Sequence, residues 1–337
     1  MEQTILLTGG AGYIGSHTYV TLVEAGYRVV ILDDFSNSKS SVLMRLARLT
    51  GQNKVPFYEG SVLDGPLLDH ILKEENVQAA IHFAAKKAVG ESVTDPLGYC
   101  ETNVGGLMTL LQAMKRQNVR NLVFSSTATV YGDAQTVPTP EDSPLDFTNP
   151  YAFTKLTSEH ILRQAEIADP WAFGILRYFN PVGAHPSGLI GEDPNDIPNN
   201  LMPFISKVAN GDLPHLQVFG DDYPTTDGSG ERDYVHVMDL ARGHLLSLNR
   251  LLQSGESHTV NLGTGRPYSV LEVIAAYSEA CGRDIPYKIA PRRAGDVAVS
   301  QADVSHAKEL LDFVAEFDLK EMCDSSWHWI MTGAKEG

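Results

Sequence analysis

Tyr151 and Lys155 stand four positions apart in Tyr151-Ala152-Phe153-Thr154-Lys155, so on a helix a phenol and an ammonium share one face. Upstream, Phe124-Ser125-Ser126-Thr127-Ala128-Thr129-Val130-Tyr131-Gly132 sets hydroxyls just past an apolar strand, at the carboxyl edge where open α/β sheets bind ligands. Together these groups suit removal of a proton from a sugar or alcohol hydroxyl while hydride leaves its carbon. A free tyrosine, with a pKa of ~10, is a poor base near neutrality. Lys155 and an oxidised nicotinamide would stabilise its phenolate, while Thr127 would hydrogen-bond the reacting oxygen and relay its proton. A Tyr-x-x-x-Lys pair alone is usually an exposed helix face. Here it follows a dinucleotide fingerprint.

That fingerprint is Thr8-Gly9-Gly10-Ala11-Gly12-Tyr13-Ile14-Gly15, between an apolar strand and a helix. Gly9 suits the tight turn, Gly12 lets the backbone approach a pyrophosphate, and Gly15 lets helix and strand pack closely. The helix N-terminus then offers free N–H groups and a positive dipole end to the phosphates. Asp33 ends the second apolar strand, roughly 20 residues after the glycines, where a carboxylate accepts both ribose hydroxyls. With Asp34 it repels a 2′-phosphate, so NAD is expected over NADP.

Alternating elements must position these groups. Strands are predicted at Thr4–Leu7, Arg28–Leu32, Val55–Tyr58, Ala79–Phe83, Leu122–Phe124 and Gly174–Arg177, with helices at Ser16–Ala25, Pro66–Glu75, Val104–Gln117 and Tyr151–Ala168. Pro181, Pro186, Gly188, Gly191, Pro194 and Pro198 then mark a shaped loop leaving the sheet. The expected fold class is α/β: a doubly wound parallel (Rossmann) sheet over residues 1–180, with a smaller C-terminal α/β substrate lobe over 181–337. Strands at Asp233–Val237 and Thr259–Leu262 around a helix Met238–Leu252 are expected to form a segment, near 233–264, that returns towards the first domain. No internal repeat or heptad pattern is visible.

The 337 residues suffice for two parts with substantial cores. Forty-two acidic against 26 basic residues, a formal charge of −16, argue against nucleic acid and anionic membranes as partners. A small anion still binds if local residues supply positive potential. Cys100, Cys281 and Cys323 are scattered and suggest reduced thiols, and no apolar run is long enough to span a bilayer. A cytoplasmic protein is expected.

The combination resembles the extended short-chain dehydrogenase/reductases, and within them the UDP-glucose (UDP-galactose) 4-epimerase family. The similarity runs over nearly the whole chain and is most specific at Gly9–His17, Phe83–Ser92, Phe124–Gly132, Leu176–Gly188, Ile197–Pro203, Arg232–Leu240 and Ala290–Asp296. It implies a tightly held NAD⁺ and hydride transfer at C4 of a UDP-hexose. A 4-keto sugar forms, rotates and accepts hydride on its other face. Tyr151 is then the acid/base, Lys155 its partner and a ribose ligand, and Thr127 the proton guide. The cofactor positions implied are Gly9, Gly12, Tyr13, Ile14, Gly15, Asp33, Asn37, Ser38, Ser61, Val62, Phe83, Ala84, Lys87 and Phe179, beside the catalytic three. Those implied for the UDP-sugar are Lys87, Thr127, Tyr151, Asn180, Asn200, Leu201, Val218, Phe219, Arg232, Arg293, Asp296 and Ser300. Their chemistry agrees: Arg232 and Arg293 can clamp a diphosphate, Asp296 can accept hydroxyls, and the two asparagines offer donors and acceptors.

The sequence departs from the family pattern at four places. Thr127 stands where serine is usual, keeping the hydroxyl and adding a methyl. Ser61 replaces an aspartate that usually meets the adenine amino group, which predicts weaker binding there. Thr102, before Asn103, replaces an asparagine often near the cofactor. Ser300 lies where a tyrosine commonly closes the sugar pocket, which predicts turnover of UDP-GlcNAc and UDP-GalNAc beside UDP-Glc and UDP-Gal.

A sugar-nucleotide 4,6-dehydratase shares this fold, NAD and Tyr-x-x-x-Lys, but in that family an Asp-Glu pair follows the active-site threonine, whereas Ala128 and Thr129 follow Thr127. A dehydrogenase exchanging NAD(H) with solution would accumulate NADH. A non-catalytic dinucleotide sensor predicts a degraded site, and Tyr151, Lys155 and Thr127 are all present. Asp233, His236, Asp239 and His244 lack metal-site spacing, so no metal is expected, and Asp239 is expected to cap the helix after it. Trp327 and Trp329 are expected in core packing or at an exposed edge. The expected assembly is a homodimer.

Overall fold

The computed structural model describes residues 3–193, 195, 200–293 and 296–335. Pro194, Pro198 and Ile197–Asn199, and Ala294–Gly295 within the Ala290–Asp296 motif, lie outside the described residues.

The first half alternates as expected: β1 (Thr4–Thr8), α1 (Tyr13–Glu24), β2 (Arg28–Asp33), α2 (Ser41–Thr50), β3 (Phe57–Glu59), α3 (Gly65–Glu74) and β4 (Val77–His82). The helix expected at Val104–Gln117 is the end of a longer helical path: α4 (Val89–Thr94), α5 (Pro96–Tyr99), a π-helical turn at Cys100–Gly105 and α6 (Gly106–Arg116). Pro96 and the Asp95 carboxylate, which accepts from Gly98 N at 3.0 Å, restart the helix after α4. Then come β5 (Asn121–Thr127), α7 (Pro150–Ala168) and β6 (Ala172–Tyr178).

The second half holds β7 (Asn180–Val182), α8 (Leu201–Asn210), β8 (Leu216–Phe219), β9 (Glu231–His236), α9 (Val237–Ser254) and β10 (His258–Leu262). It ends with β11 (Pro267–Ser269), α10 (Val270–Cys281), β12 (Tyr287–Ala290), β13 (Val299–Ser300), α11 (Ser305–Leu311) and α12 (Leu319–Met331).

Seven parallel strands form the main sheet in the order β3-β2-β1-β4-β5-β6-β10. The order reverses direction between β1 and β4, which opens a crevice at the carboxyl ends of those strands. Residues alternate across the sheet. Ile5, Leu7, Val29 and Ile31 pack under α1, α2, α9 and α11 through Val20, Leu46, Leu248 and Leu311, whereas Leu6, Val30, Leu32 and Phe124 face α3, α6 and α7 through Leu68, Leu110 and Leu162. Of the expected returning segment, α9 and β10 join this sheet, while β9 belongs to a second one.

In that second sheet β9 is flanked by β11, antiparallel, and by β13 and β7, both parallel; β8 and β12 form a separate parallel pair. A second core, with Met202, Ile205, Val218, Tyr234, Val273 and Tyr277, lies among α8, α10 and α12. Trp329 is buried beneath the Arg45 guanidinium, 5.0 Å from its ring centre. Among the described residues no helix is long and apolar enough to cross a membrane.

Candidate functional site

The glycine turn closes against the end of β4. Gly9 has φ +72°, and a Cβ there would lie 2.6 Å from Ala84 N, so Phe83 and Ala84 are brought directly beneath the turn. A Cβ on Gly15 would lie 2.5 Å from the Gly9 carbonyl oxygen, so the turn folds back on the first turn of α1 only with glycine there. Gly12 caps α1 without a side chain, so no side-chain hydrogen bond covers the free N–H groups of its first turn.

Asp33 is buried at the end of β2. Its Oδ2 accepts from Ala11 N at 2.9 Å, and its Oδ1 accepts from Phe35 N and the Ser38 hydroxyl, both at 2.9 Å. Burial raises its carboxyl above the usual range, against the lowering pull of these donors. Asp33 therefore braces both the glycine turn and the loop after β2, a role beyond the ribose contact expected of it. In that loop Asn37 is exposed and its Oδ1 accepts from Asn195 N at 3.3 Å. Ser61 turns its hydroxyl back to Leu63 N at 3.2 Å, and Val62 packs against Gly106. This cradle, an uncapped helix terminus beside close-packed glycines and a buried acid, fits a dinucleotide.

At the end of β5, Thr127 Oγ1 accepts from Thr129 N at 3.2 Å and sits 3.1 Å from the Thr129 hydroxyl. Helix α7 starts at Asn149, whose side chain accepts from Ala152 N at 2.9 Å, with Pro150 in its first turn. This start aims Tyr151 and Lys155 at the strand end, where both are buried. Lys155 Nζ donates to the Ser125 carbonyl at 2.7 Å and lies 5.0 Å from the centre of the Phe124 ring. Burial pushes its ammonium down to about 8, with Glu159 opposing. The Tyr151 phenol is raised well above its ordinary value by burial and by Tyr178, while its hydrogen bond with Thr127 lowers it. The protein alone thus favours the neutral phenol, because burial removes the water that would solvate a phenolate. The lowering expected of Lys155 is expected of it together with an oxidised nicotinamide.

Of the expected UDP-sugar residues, Asn180, Asn200, Leu201, Val218, Phe219, Arg232, Arg293, Asp296 and Ser300 belong to the second lobe, whereas Lys87, Thr127 and Tyr151 belong to the first. Asp296 bridges Arg232, at 3.2 Å, and Arg293, at 3.1 Å, and the Arg293 guanidinium lies 4.5 Å from the Phe219 ring centre. Asn200 caps α8 just before Leu201, and its amide donates to Glu192 Oε1 at 3.4 Å. Lys87, exposed on the first lobe, reaches the same Glu192 oxygen at 3.3 Å. Phe179 and Asn180 follow β6 directly, and the Tyr13 hydroxyl donates to the Gly183 carbonyl at 2.6 Å, tying the glycine turn to this segment. Ser300 lines a small cavity with Ala128, Tyr131, Gly132, Ala134 and Phe179, one turn from Thr127.

The tempting metal set is engaged elsewhere. Asp233 accepts from Thr264 N, Gly265 N and Ala302 N. Asp239 is not a helix cap: His236 Nδ1 caps α9 by accepting from Met238 N at 3.1 Å, while Asp239 reaches Glu316 N and Phe317 N. Sequence reasoning missed Ser126, Glu159 and Arg177, which join behind the catalytic groups. The Tyr151, Lys155, Glu159 spacing was the available signal.

The model of a family described as GDP-mannose 4,6 dehydratase matches residues 6–326. A UDP-glucose 4-epimerase of Bacillus subtilis (strain 168) is 52% identical over 328 residues, covering 97% of this chain and 96% of that one. Among solved structures, the UDP-glucose 4-epimerase of Stenotrophomonas maltophila, with bound NAD and formylated UDP-arabinopyranose, aligns with TM-score 0.97, 46% identity and full coverage of both chains. That of Bifidobacterium longum, in complex with NAD+ and UDP, aligns with TM-score 0.94 and 47% identity over 98% of this chain and 99% of the other.

Proposed function

The chain belongs to the UDP-glucose 4-epimerase family of extended short-chain dehydrogenase/reductases, within the group matched by the GDP-mannose 4,6 dehydratase model, and from that premise we propose how its residues divide the work. The reaction is NAD-dependent, reversible epimerisation at C4 of UDP-hexoses. Tyr151 takes the proton of the 4-hydroxyl and later returns it to the oxygen of the 4-keto sugar. Thr127 guides that proton, and Lys155 steadies the phenolate and holds a ribose hydroxyl. Bound NAD⁺ supplies the hydride acceptor and donor for C4 and a positive ring that offsets the cost of ionising a buried phenol. The glycine turn, the first turn of α1 and Lys87 hold its diphosphate; Asp33 holds its ribose.

The second lobe keeps the nucleotide in place while the ketone turns. Arg232 and Arg293 take the diphosphate, Asp296 the ribose, and Asn180, Asn200, Leu201, Val218 and Phe219 the remaining contacts. The observation that supports this best is the buried trio of Tyr151, Lys155 and Thr127 beside a glycine turn built for a dinucleotide. Dehydration is not favoured: Ala128 and Thr129 follow Thr127, and neither supplies the carboxylates an elimination needs.

The small side chain of Ser300, where a tyrosine commonly closes the sugar pocket, supports a broader substrate range that takes in an acetamido group at C2. UDP-Glc, UDP-Gal, UDP-GlcNAc and UDP-GalNAc, assayed separately with product analysis, are all interconverted by the wild type. Ser300→Tyr keeps the first pair and loses the second; a wild type inert towards the acetylated pair refutes the broader range. A homodimer is supported by apolar side chains exposed along the α4–α7 face, among them Val93, Leu97, Met108 and Phe153.

A further inference from the structure

Three consecutive residues of β5 meet three successive turns of α7. The Thr127 hydroxyl bonds Tyr151, the Ser125 carbonyl accepts from Lys155 Nζ at 2.7 Å, and the Ser126 hydroxyl donates to Glu159 Oε1 at 2.6 Å. The first two bonds belong to the reacting end. The third lies one turn deeper, where Glu159 and Arg177 are both fully buried.

There the guanidinium grips the carboxylate with two bonds: Nη2 to Oε2 at 2.6 Å and Nε to Oε1 at 3.0 Å. Arg177 Nη1 reaches onward to the Tyr131 hydroxyl at 3.1 Å and the Glu141 carbonyl at 2.9 Å, and Tyr131 donates to Asn261 Oδ1 at 2.7 Å. One carboxylate thus joins α7 to β5, β6, β10 and the wall of the Ser300 cavity. A buried ion pair of this kind is rarely the cheapest route to stability, since apolar groups of similar volume commonly do as well. Its directional bonds fix a register that apolar packing leaves free to slide.

We infer that Glu159, held by Ser126 and Arg177, is a positioning residue for the epimerisation, setting the register of α7 on β5 that aligns the Tyr151 phenol and the Lys155 ammonium. This rests on the catalytic roles given above. Glu159 also acts on Lys155 through its charge. The titratable groups that interact with that ammonium are Glu159 on its own helix and His82 on β4; Tyr151, one turn before it on α7, interacts with Tyr178 on β6. Burial pushes His82 down to about 3, so it is neutral near pH 7. Glu159 is the one anion in this group, and neutralising it uncovers the charge of Arg177 behind it.

Glu159→Gln keeps the shape and removes the charge. The variant is expected to fold and keep bound NAD, with KM within about twofold and kcat reduced by about tenfold or more. The loss relative to the wild type deepens between about pH 7 and 9 and then levels off, because Lys155 of the variant gives up its proton first. In protein labelled with 13C at lysine Cε, the Lys155 titration moves to lower pH by about one unit, a readout independent of turnover. Ser126→Ala retains the ion pair and is expected to lower kcat a few-fold without moving the titration; it decides the matter if Glu159→Gln fails to fold. Leu46→Ala, a cavity in the opposite layer, serves as a control of matched stability loss. An unmoved titration and pH profile in Glu159→Gln, with a kcat loss no greater than in the Leu46→Ala control, overturns the proposal. So does an unchanged kcat in Ser126→Ala. A wild type that fails to interconvert UDP-hexoses contradicts the function itself, while the titration still tests the placement.

Discussion

The two ends of the site are built in opposite ways. At the proton-transfer end every group is buried on a regular element: Tyr151 and Lys155 on α7, Thr127 on β5, with Glu159 and Arg177 behind them. At the nucleotide-sugar end the side chains stand on short strands and loops, and the Arg293 side chain is 56% exposed. At the first end the side chains are held by bonds to the protein's own strands and helix. The second satisfies itself, since Asp296 pairs with both Arg232 and Arg293, and on the roles proposed above a diphosphate would have to compete with it. Chemistry that depends on distances is preorganised, and recognition that must open and close is left exchangeable. The contrast also explains how a chain of charge −16 accepts anions. Arg232 and Arg293 share the Asp296 carboxylate, and on the proposed roles they would exchange it for a diphosphate.

The contrast is sharpened most by Tyr151→Phe. Losing the phenol is expected to lower kcat by about 10³-fold or more, with NAD still bound after purification and UDP affinity unchanged. A loss confined to KM would place Tyr151 in the exchangeable half. Arg232→Ala gives the reverse pattern, weakening UDP binding by about 10- to 100-fold in calorimetry while kcat at saturation stays within a few-fold. It also flattens the dependence of UDP affinity on salt. The smallest effect is one of stability. Below about pH 8 Lys155 is charged in both the folded and unfolded chains, and the fold bears the full cost of burying the charge. Between there and the ordinary lysine pKa of ~10.4 only the unfolded chain keeps the proton, so that cost fades as pH rises. Lys155→Met is therefore expected to stabilise the inactive protein by about 1–2 kcal/mol at pH 7, and by less at pH 9.5, in urea melts. Destabilisation at pH 7 would contradict a strained catalytic end.

Much of this was legible in the sequence because it is local. The alternation of Ile5, Leu6 and Leu7 across the sheet, the spacing of Gly9, Gly12 and Gly15, and the four-residue step from Tyr151 to Lys155 each encode geometry within a few residues. What stayed hidden depends on partners far along the chain. Glu159 looks like a solvated helix residue until Arg177 arrives from the next strand, and Asp239 looks like a cap until the backbone at Glu316 and Phe317 folds over it. Asp33 reads as a ribose ligand from its position, yet its bonds to Ala11 and Ser38 also make it a brace. The raised phenol of Tyr151 was hidden for another reason: a sequence displays nearby charge but not the loss of water around it.

On the proposed mechanism, hydride leaves and returns to C4 within one closed site. UDP-glucose carrying deuterium at C4, incubated with the enzyme in the presence of excess unlabelled free NADH, tests it most directly. The expected product is UDP-galactose with the deuterium retained at C4 and no label in solvent or in free NADH. Loss of the label to either pool would contradict it.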